Sequence, residues 1–287
     1  MDEDRSKSRR VLITGISGFV GQILQQKFEE NGYDVWGISR TDSCNPKVLQ
    51  ANLQNAEQTL QAVEAMPSFS TVIHAAALAH NNKKQQGDSF FDINTSITRN
   101  ILDAVIVKQP LFIFMSSVSV YGEANRMVPI VVEDELRPAS EYGRSKVACE
   151  KMLQDSGLAH YHLLRVAPVY DETHSKDIRK RVFFPFQNSL KMILRPAPLY
   201  SFCHLVKLSE MVFKLVENQV LESSIIHVTD THPCNQNELA TRFEGIDVIV
   251  PLKLIELLYP LTFLVPKSHR YAIQCLYWKL FKSNIYA

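Results

Sequence analysis

The sequence predicts an α/β protein, a doubly wound parallel sheet followed by a smaller second part. Three observations carry that expectation. Short apolar runs alternate with helical patterns over residues 10–166, the rhythm of βαβ units with right-handed crossovers. Those runs are short and apolar, as in a sheet covered on both faces. The stretch Arg10 to Gly21, RVLITGISGFVG, sets a strand, a glycine-rich turn and a helix in immediate succession.

In chain order that stretch comes first. Arg10–Thr14 reads as a short strand with a buried apolar centre. Gly15, Gly18 and Gly21 follow at regular spacing. Gly15 allows a tight turn, Gly18 lets backbone approach a pyrophosphate with no Cβ in the way, and Gly21 lets the helix lie close to the strand. Val20, Ile23, Leu24 and Phe28 share one helical face, and Asn31-Gly32 supplies the stop. The free N–H groups and positive dipole end of such a helix suit an anion. Together they read as the phosphate cradle of a dinucleotide site; an ordinary glycine-rich βα turn is the alternative.

Asp34–Ser39 reads as the second strand, ending at Arg40, and Lys47–Gln50 as a short third strand with Asn52-Leu53 at its end. Ala56–Ala65 has helical composition. Thr71–Ala75 is the fourth strand, running into Ala76-Ala77. Phe90–Val107 is a long helix with Ile93, Ile97, Ile101 and Ala104 at apolar positions. Leu111–Met115 is the fifth strand, opening on Ser116-Ser117. Ser140–Gln154 is helical, and Tyr161–Val166 is the sixth strand. Near Pro168 the rhythm breaks into mixed loops, helices and short strands. The expected division is a disordered tail over 1–9, a dinucleotide-binding domain over 10–167 and a mostly substrate-binding domain over 168–287. Ile225–Val228 is a strand candidate that can rejoin the main sheet, and Asn237–Phe243 a short helix.

Composition bounds the partners. The formal net charge of +1 over 287 residues offers no global field for nucleic acid. The polar opening, MDEDRSKSRR, lacks the apolar core of a signal peptide. The uncharged stretch Leu257–Pro266 falls well short of the roughly 18 residues of a spanning helix. Five scattered cysteines, Cys44, Cys149, Cys203, Cys234 and Cys275, form no CxxC pair and read as reduced cytoplasmic thiols, with no metal site.

Tyr142 and Lys146, in EYGRSK, are four apart on a predicted helix and share a face. An ammonium beside a phenol stabilises the phenolate, which makes the tyrosine usable as a general acid or base. Ser117 lies at the carboxyl end of the fifth strand, where open parallel sheets bind ligands. There it can donate a hydrogen bond to a substrate oxygen; Ser116 and Ser119 are the near alternatives. A solvated helix face for the pair and a cap for Ser117 are the non-functional readings.

These motifs together resemble the extended short-chain dehydrogenase/reductase family, in its sugar-nucleotide epimerase, dehydratase and reductase group. TGISGFVG resembles the family's glycine motif, VIHAAA its fourth-strand motif, Phe91–Asn94 its helix motif, and SSVSVYG and YGRSK its serine and YxxxK motifs. RVAPVY, Arg165–Tyr170, resembles the segment that reaches the nicotinamide. The resemblance implies a Rossmann domain with a smaller C-terminal substrate-binding domain. It implies Tyr142 as catalytic acid/base, Lys146 as the residue that holds the nicotinamide ribose and tunes Tyr142, and Ser117 as the substrate-positioning hydroxyl. Cofactor contacts are implied at Gly15, Ser17, Gly18, Phe19 and Val20 of the first turn. Others fall at Arg40, Asn52 and Leu53, at Ala75, Ala76 and Ala77, at Asn94, at Tyr142 and Lys146, and at Pro168 and Val169.

Departures narrow the reaction. Dehydratases of the group carry an Asp-Glu pair after the active-site hydroxyl; here the stretch is Ser117-Val118-Ser119, which disfavours dehydration. Where an acid would hold the ribose of NAD, Ser39-Arg40 offers a hydroxyl and a guanidinium suited to a 2′-phosphate. Asn52 stands where aspartate is frequent and can reach adenine through its carbonyl oxygen. Asp171 replaces a glycine, and Lys207 replaces an aspartate near His204, which reads as structural. The expected function is NADP-dependent reduction of a keto-sugar nucleotide, at the 4-keto position, for polysaccharide biosynthesis, by a homodimer. NAD is the alternative cofactor, an NAD-dependent sugar-nucleotide epimerase the alternative enzyme, and a non-catalytic dinucleotide-binding regulator the alternative class.

The chain closes on two apolar helical segments. Arg270–Lys282 reads as amphipathic, with Ile273, Leu276, Tyr277, Leu280 and Phe281 on one side, after the apolar Leu254–Val265. Both are expected to finish the core of the second part; peripheral membrane contact at the inner surface is the alternative.

Overall fold

The computed structural model describes residues 9–78, 89–122, 128–185 and 187–287, apart from the side chains of 267–269, 271 and 272. The tail expected over 1–9 lies outside them except for Arg9.

The glycine turn joins Arg10–Thr14 (β1) to Phe19–Glu30 (α1). Asp34–Ser39 (β2), Val48–Gln50 (β3), Ala56–Glu64 (α2), Thr71–His74 (β4), Phe90–Val105 (α3), Leu111–Ser117 (β5), Glu141–Gln154 (α4) and Tyr161–Val166 (β6) follow. Then come Val169–Tyr170 (β7), Lys176–Val182 (α5), Leu190–Arg195 (β8), Leu199–Tyr200 (β9), Cys203–His204 (β10) and Leu205–Glu217 (α6). The chain continues through Ser224–Val228 (β11), Cys234–Asn235 (β12), Gln236–Thr241 (α7), Ile246–Pro251 (β13), Leu252–Leu258 (α8) and Lys267–Phe281 (α9).

Seven strands form the central sheet in the order β3-β2-β1-β4-β5-β6-β11, every pair parallel. The winding direction reverses between β1 and β4, which opens a crevice at their carboxyl ends. Strand pleating divides the core. Val11, Ile13, Ile113 and Leu164 face one layer with Leu24 and Phe28 of α1. Leu12, Val72, Phe112 and Phe114 face the other, with Val63 of α2, Ile101 of α3 and Leu153 of α4.

The second part of the chain contributes to both units. β11 pairs in register with β6, Ile226 opposite Leu164, and α6 lays Leu208, Val212 and Val216 into the α1 layer. Ile178, Val182, Phe183, Tyr200, Phe202 and Leu239 make a separate cluster, flanked by the parallel pair β8–β13. The sequence pattern did not separate these later elements: several are two-residue strands whose partners are far away in the chain.

Several boundaries differ from expectation by a few residues, among them those of β5 and α3. β5 runs on to Ser117, and the Ser117 side chain then caps the short 3-10 turn Val118–Tyr121. α3 stops at Val105, and Ile106–Lys108 tightens into a 3-10 turn.

The closing segments do not finish the core as expected. Tyr277 and Leu280 are buried, but Ile273 and Leu276 are exposed, as are Leu254, Leu257, Leu258, Leu261, Phe263 and Leu264. The physical reason is local: Tyr259 packs its ring 4.2 Å from Tyr277, so the segment after α8 folds back on α9.

Candidate active site

A cleft of about 190 Å³ opens at the reversal point. It is lined by Gly15, Ser17 and Gly18 after β1, Ser39 and Arg40 at the end of β2, Asn52 and Leu53 after β3, and Ala75, Ala76 and Ala77 after β4. Four separate predictions from sequence thus meet in one place. Leu78, Gln54, Ile93 and Ile97 complete the wall.

The glycine turn fits a bound dinucleotide on steric grounds. Gly15 has φ +70°, and a Cβ there would stand 2.8 Å from Ala76 N and Cα. A Cβ on Gly21 would lie 2.2 Å from Gly15 O, so the absence of a side chain is what lets α1 press onto the turn. α2, α3 and α4 each start with a side-chain cap, from Asn55, Ser89 and Ser140. α1 starts at Gly18 with none and carries no acid in its first turn. Its leading N–H groups therefore remain as donors beside the cleft.

His74 supports this wall, a role the sequence reading did not assign. Its Nδ1 lies 2.7 Å from Thr14 Oγ1 and its Nε2 3.1 Å from Thr98 Oγ1. Thr14 Oγ1 in turn accepts the Ala76 N–H at 3.3 Å. Burial pushes the His74 pKa down to about 3, with Lys146 adding to the effect, so the ring is a neutral bridge.

Not every expected cofactor residue lines this cleft with its polar groups free. Asn94 is buried and its amide is engaged by protein: Oδ1 accepts from Leu78 N at 2.8 Å, while Nδ2 donates to Ser145 Oγ at 3.0 Å. It acts behind the wall, by fixing Leu78. Asn52 lines the cleft, but its Oδ1 already accepts from Gln54 N at 3.1 Å. Phe19 packs against His174 with ring centres 4.4 Å apart, and Val20 packs into the α1 layer. Pro168 O accepts from Cys203 N at 3.1 Å, and Val169 pairs with Cys203; neither lines the cleft.

In place of the usual glycine, Asp171 organises a turn by accepting from Thr173 N at 2.7 Å and from His174 N. His204 caps α6 through Nδ1, which accepts from Val206 N at 3.3 Å, a structural role.

Ser117, Tyr142 and Lys146 come together at the carboxyl end of β5. The Ser117 hydroxyl lies close enough to the Tyr142 phenol to favour its ionised form. Lys146 Nζ sits 5.7 Å from the Tyr142 ring centre and 4.6 Å from that of Phe114. It donates to Met115 O at 2.7 Å. The alternatives to Ser117 are distinguished by their partners: the Ser116 hydroxyl bonds Glu150, and Ser119 Oγ is buried without a partner among the described residues.

Burial raises the Tyr142 pKa to about 12, with the nearby Ser117 hydroxyl opposing it. Burial also lowers Lys146 to about 8, against the pull of Cys149 and Glu150. The expected depression of the tyrosine by its lysine is absent from this arrangement. Desolvation of the phenolate outweighs it, and the ammonium is directed to a main-chain carbonyl.

Beneath the three lies a buried ion pair that sequence reasoning missed, Glu150 with Arg165. Its signal was present: Glu150 is four residues after Lys146 on the same helix, a charge at a core-facing position. Among the described residues, no cluster of His, Cys, Asp and Glu is arranged to hold a metal ion.

Comparison with known proteins agrees with this fold. A family model described as the NAD dependent epimerase/dehydratase family matches residues 11–194. Methionine adenosyltransferase 2 subunit beta of Rattus norvegicus is 26% identical over 171 residues, which is 60% of this chain and 50% of that protein. The match thus spans about half the length of such curated relatives. The structure of UDP-glucose 4-epimerase from Brucella ovis in complex with NAD superposes with a TM-score of 0.68 at 19% identity, over 85% of this chain and 86% of that one. That of dTDP-4-dehydrorhamnose reductase from Bacillus anthracis str. Ames in complex with NADP gives 0.67 at 21% identity, over 86% of each. Similarity at this level shows a shared fold.

Proposed function

The chain belongs to the NAD dependent epimerase/dehydratase family, and from that premise we propose that it is an NADP-preferring reductase of a keto-sugar nucleotide. The reduced position is the 4-keto group, and the product serves polysaccharide assembly. One observation carries the reading: Tyr142 stands beside Ser117 at the carboxyl end of β5, and burial moves its phenol pKa further above neutral. A phenol that stays protonated at neutral pH is a proton donor from the outset. Ketone reduction needs a donor at that oxygen, whereas epimerisation begins by removing a proton from an alcohol.

In this reading Tyr142 Oη protonates the nascent alkoxide, and Ser117 Oγ holds the same oxygen by a hydrogen bond. Lys146 holds the nicotinamide ribose with the donors that Met115 O leaves free. The turn Gly15–Gly18 holds the pyrophosphate, and Asn52 and Leu53 flank the adenine. Ser39 and Arg40 line the cleft and suit a 2′-phosphate, and Arg40 makes no ion pair among the described residues. The chemistry that the dinucleotide supplies when bound is hydride transfer to the carbonyl carbon.

A second reading is a dinucleotide-binding subunit without turnover, favoured by the rat relative's name as a subunit. A screen of 4-keto-sugar nucleotides with NADPH and NADH tests these readings together. The reductase consumes NADPH in step with product. Isomerised product without net oxidation of cofactor would mean an epimerase. Tight cofactor binding with no conversion of any substrate would favour the subunit.

A further inference from the structure

Leu254, Leu257, Leu258, Leu261, Phe263 and Leu264 are all more than half exposed, Leu257 at 74% and Leu264 at 82%. This is a concentration of bare apolar side chains in eleven consecutive positions, larger than a scatter of single surface leucines. The segment is held in place. Tyr259 packs on Tyr277 and lies 5.7 Å from Trp278. The Arg270 guanidinium donates to the carbonyls of Phe263 and Val265, at 2.5 and 3.2 Å. It also stands 5.5 Å over the Phe263 ring.

Charge along this part of the chain is one-sided. From residue 252 onward the sequence has Lys253, Lys267, Arg270, Lys279 and Lys282 against a single acid, Glu256. That acid is paired with Lys282 at 2.5 Å. α9 adds less to the bare surface: it exposes Ile273 and Leu276 but buries Tyr277 and Leu280. Most of the surface comes from α8 and the turn after it.

We propose that residues 254–264 dock this protein on the surface of an anionic lipid bilayer. Leucines and Phe263 enter the acyl boundary, and Lys253, next to them in the chain, and Arg270, next to them in space, meet the headgroups. No described helix is long and apolar enough to cross a membrane, so the segment lies in the interface. A second copy of this chain is a poor occupant. A two-fold contact would set the same positive surface against itself. The inference is independent of the reaction catalysed.

The test is co-sedimentation of the full chain with vesicles of phosphatidylcholine, with and without phosphatidylglycerol, at low and high salt. Binding is expected with phosphatidylglycerol at low salt, and at least about tenfold weaker without it or at high salt. The double variant Leu257→Ser/Leu264→Ser should weaken binding by about tenfold or more, the scale of losing buried leucine side chains from lipid. Its melting temperature and cofactor affinity should be unchanged, since both side chains are exposed. No binding to phosphatidylglycerol vesicles at low salt would overturn the proposal. So would a double variant that binds as well as the wild type, which would mean charge attraction alone. Binding to a soluble acidic polypeptide but not to vesicles would instead point to an acidic protein partner and overturn it too.

Discussion

Arg165 Nη2 lies 2.8 Å from Glu150 Oε2, and the two side chains are only 4% and 3% exposed. The remaining valences are filled. Glu150 Oε1 accepts the Ser116 hydroxyl, while Arg165 Nη1 donates to Tyr121 Oη at 2.6 Å and to Val132 O at 2.9 Å. Tyr121 Oη meets His227 Nε2 at 2.6 Å. The pair therefore ties α4, β5 and β6 together, one turn below Lys146 and next to the carbonyl that Lys146 bonds. Its effect on the site is through position.

Breaking this pair from one side should be costly. Glu150→Gln leaves a buried guanidinium without its counter-charge and is expected to destabilise the fold by about 3–5 kcal/mol. Glu150→Gln/Arg165→Met should cost clearly less than the sum of the two single changes. Urea unfolding of the four proteins measures the coupling; additive losses would show that the two groups do not act as a unit.

Tyr142→Phe keeps the ring and removes the proposed proton donor. Turnover should fall by roughly 100- to 10,000-fold, with cofactor affinity nearly unchanged. Single-turnover kinetics together with cofactor titration separate the two effects. A variant with more than about a tenth of wild-type turnover in the chemical step would mean that another group supplies the proton.

Arg40→Ala should weaken NADPH more than NADH. A hydrogen bond to a charged group contributes about 1.5–3 kcal/mol, so the NADPH dissociation constant should rise roughly tenfold or more. Fluorescence titration with both cofactors reads the difference. Equal losses would assign Arg40 no part in choosing between them.

Lys146 makes a prediction about pH and stability. Burial lowers its pKa from 10.5 to about 8, so between those values the unfolded chain binds the proton that the folded chain has released. Stability from this group therefore rises with pH across the window from about 8 to 10.5, and below it the full cost of a buried ammonium is present. At 1.36 kcal/mol per pKa unit the cost is about 3 kcal/mol as an upper bound, before its hydrogen bond to Met115 O is counted. Lys146→Met, which the proposed function expects to be inactive, should gain in melting temperature relative to wild type below pH 8. That difference should shrink as the pH rises through the window. A constant difference across the same range would mean that Lys146 is not held at a lowered pKa.

The sequence by itself determined the parts whose cause lies within a few residues. Arg10–Thr14, the glycines and α1 form one local unit, and apolar periodicity placed the first six strands almost to the residue. It also placed Tyr142 and Lys146 on one helical face and Ser117 at a strand end. The tertiary structure decided what depends on segments distant in the chain. It turned Lys146 toward Met115 O, closed Glu150 onto Arg165 and used up the amide of Asn94 on Leu78 and Ser145. It paired β8 with β13, and left Leu257 and Leu264 in solvent although their composition suits a core. Propensity and turn chemistry act between neighbours along the chain. Desolvation, hydrogen-bond partnership and burial depend on which side chains are brought face to face, and for short strands and single charges the local pattern does not specify that.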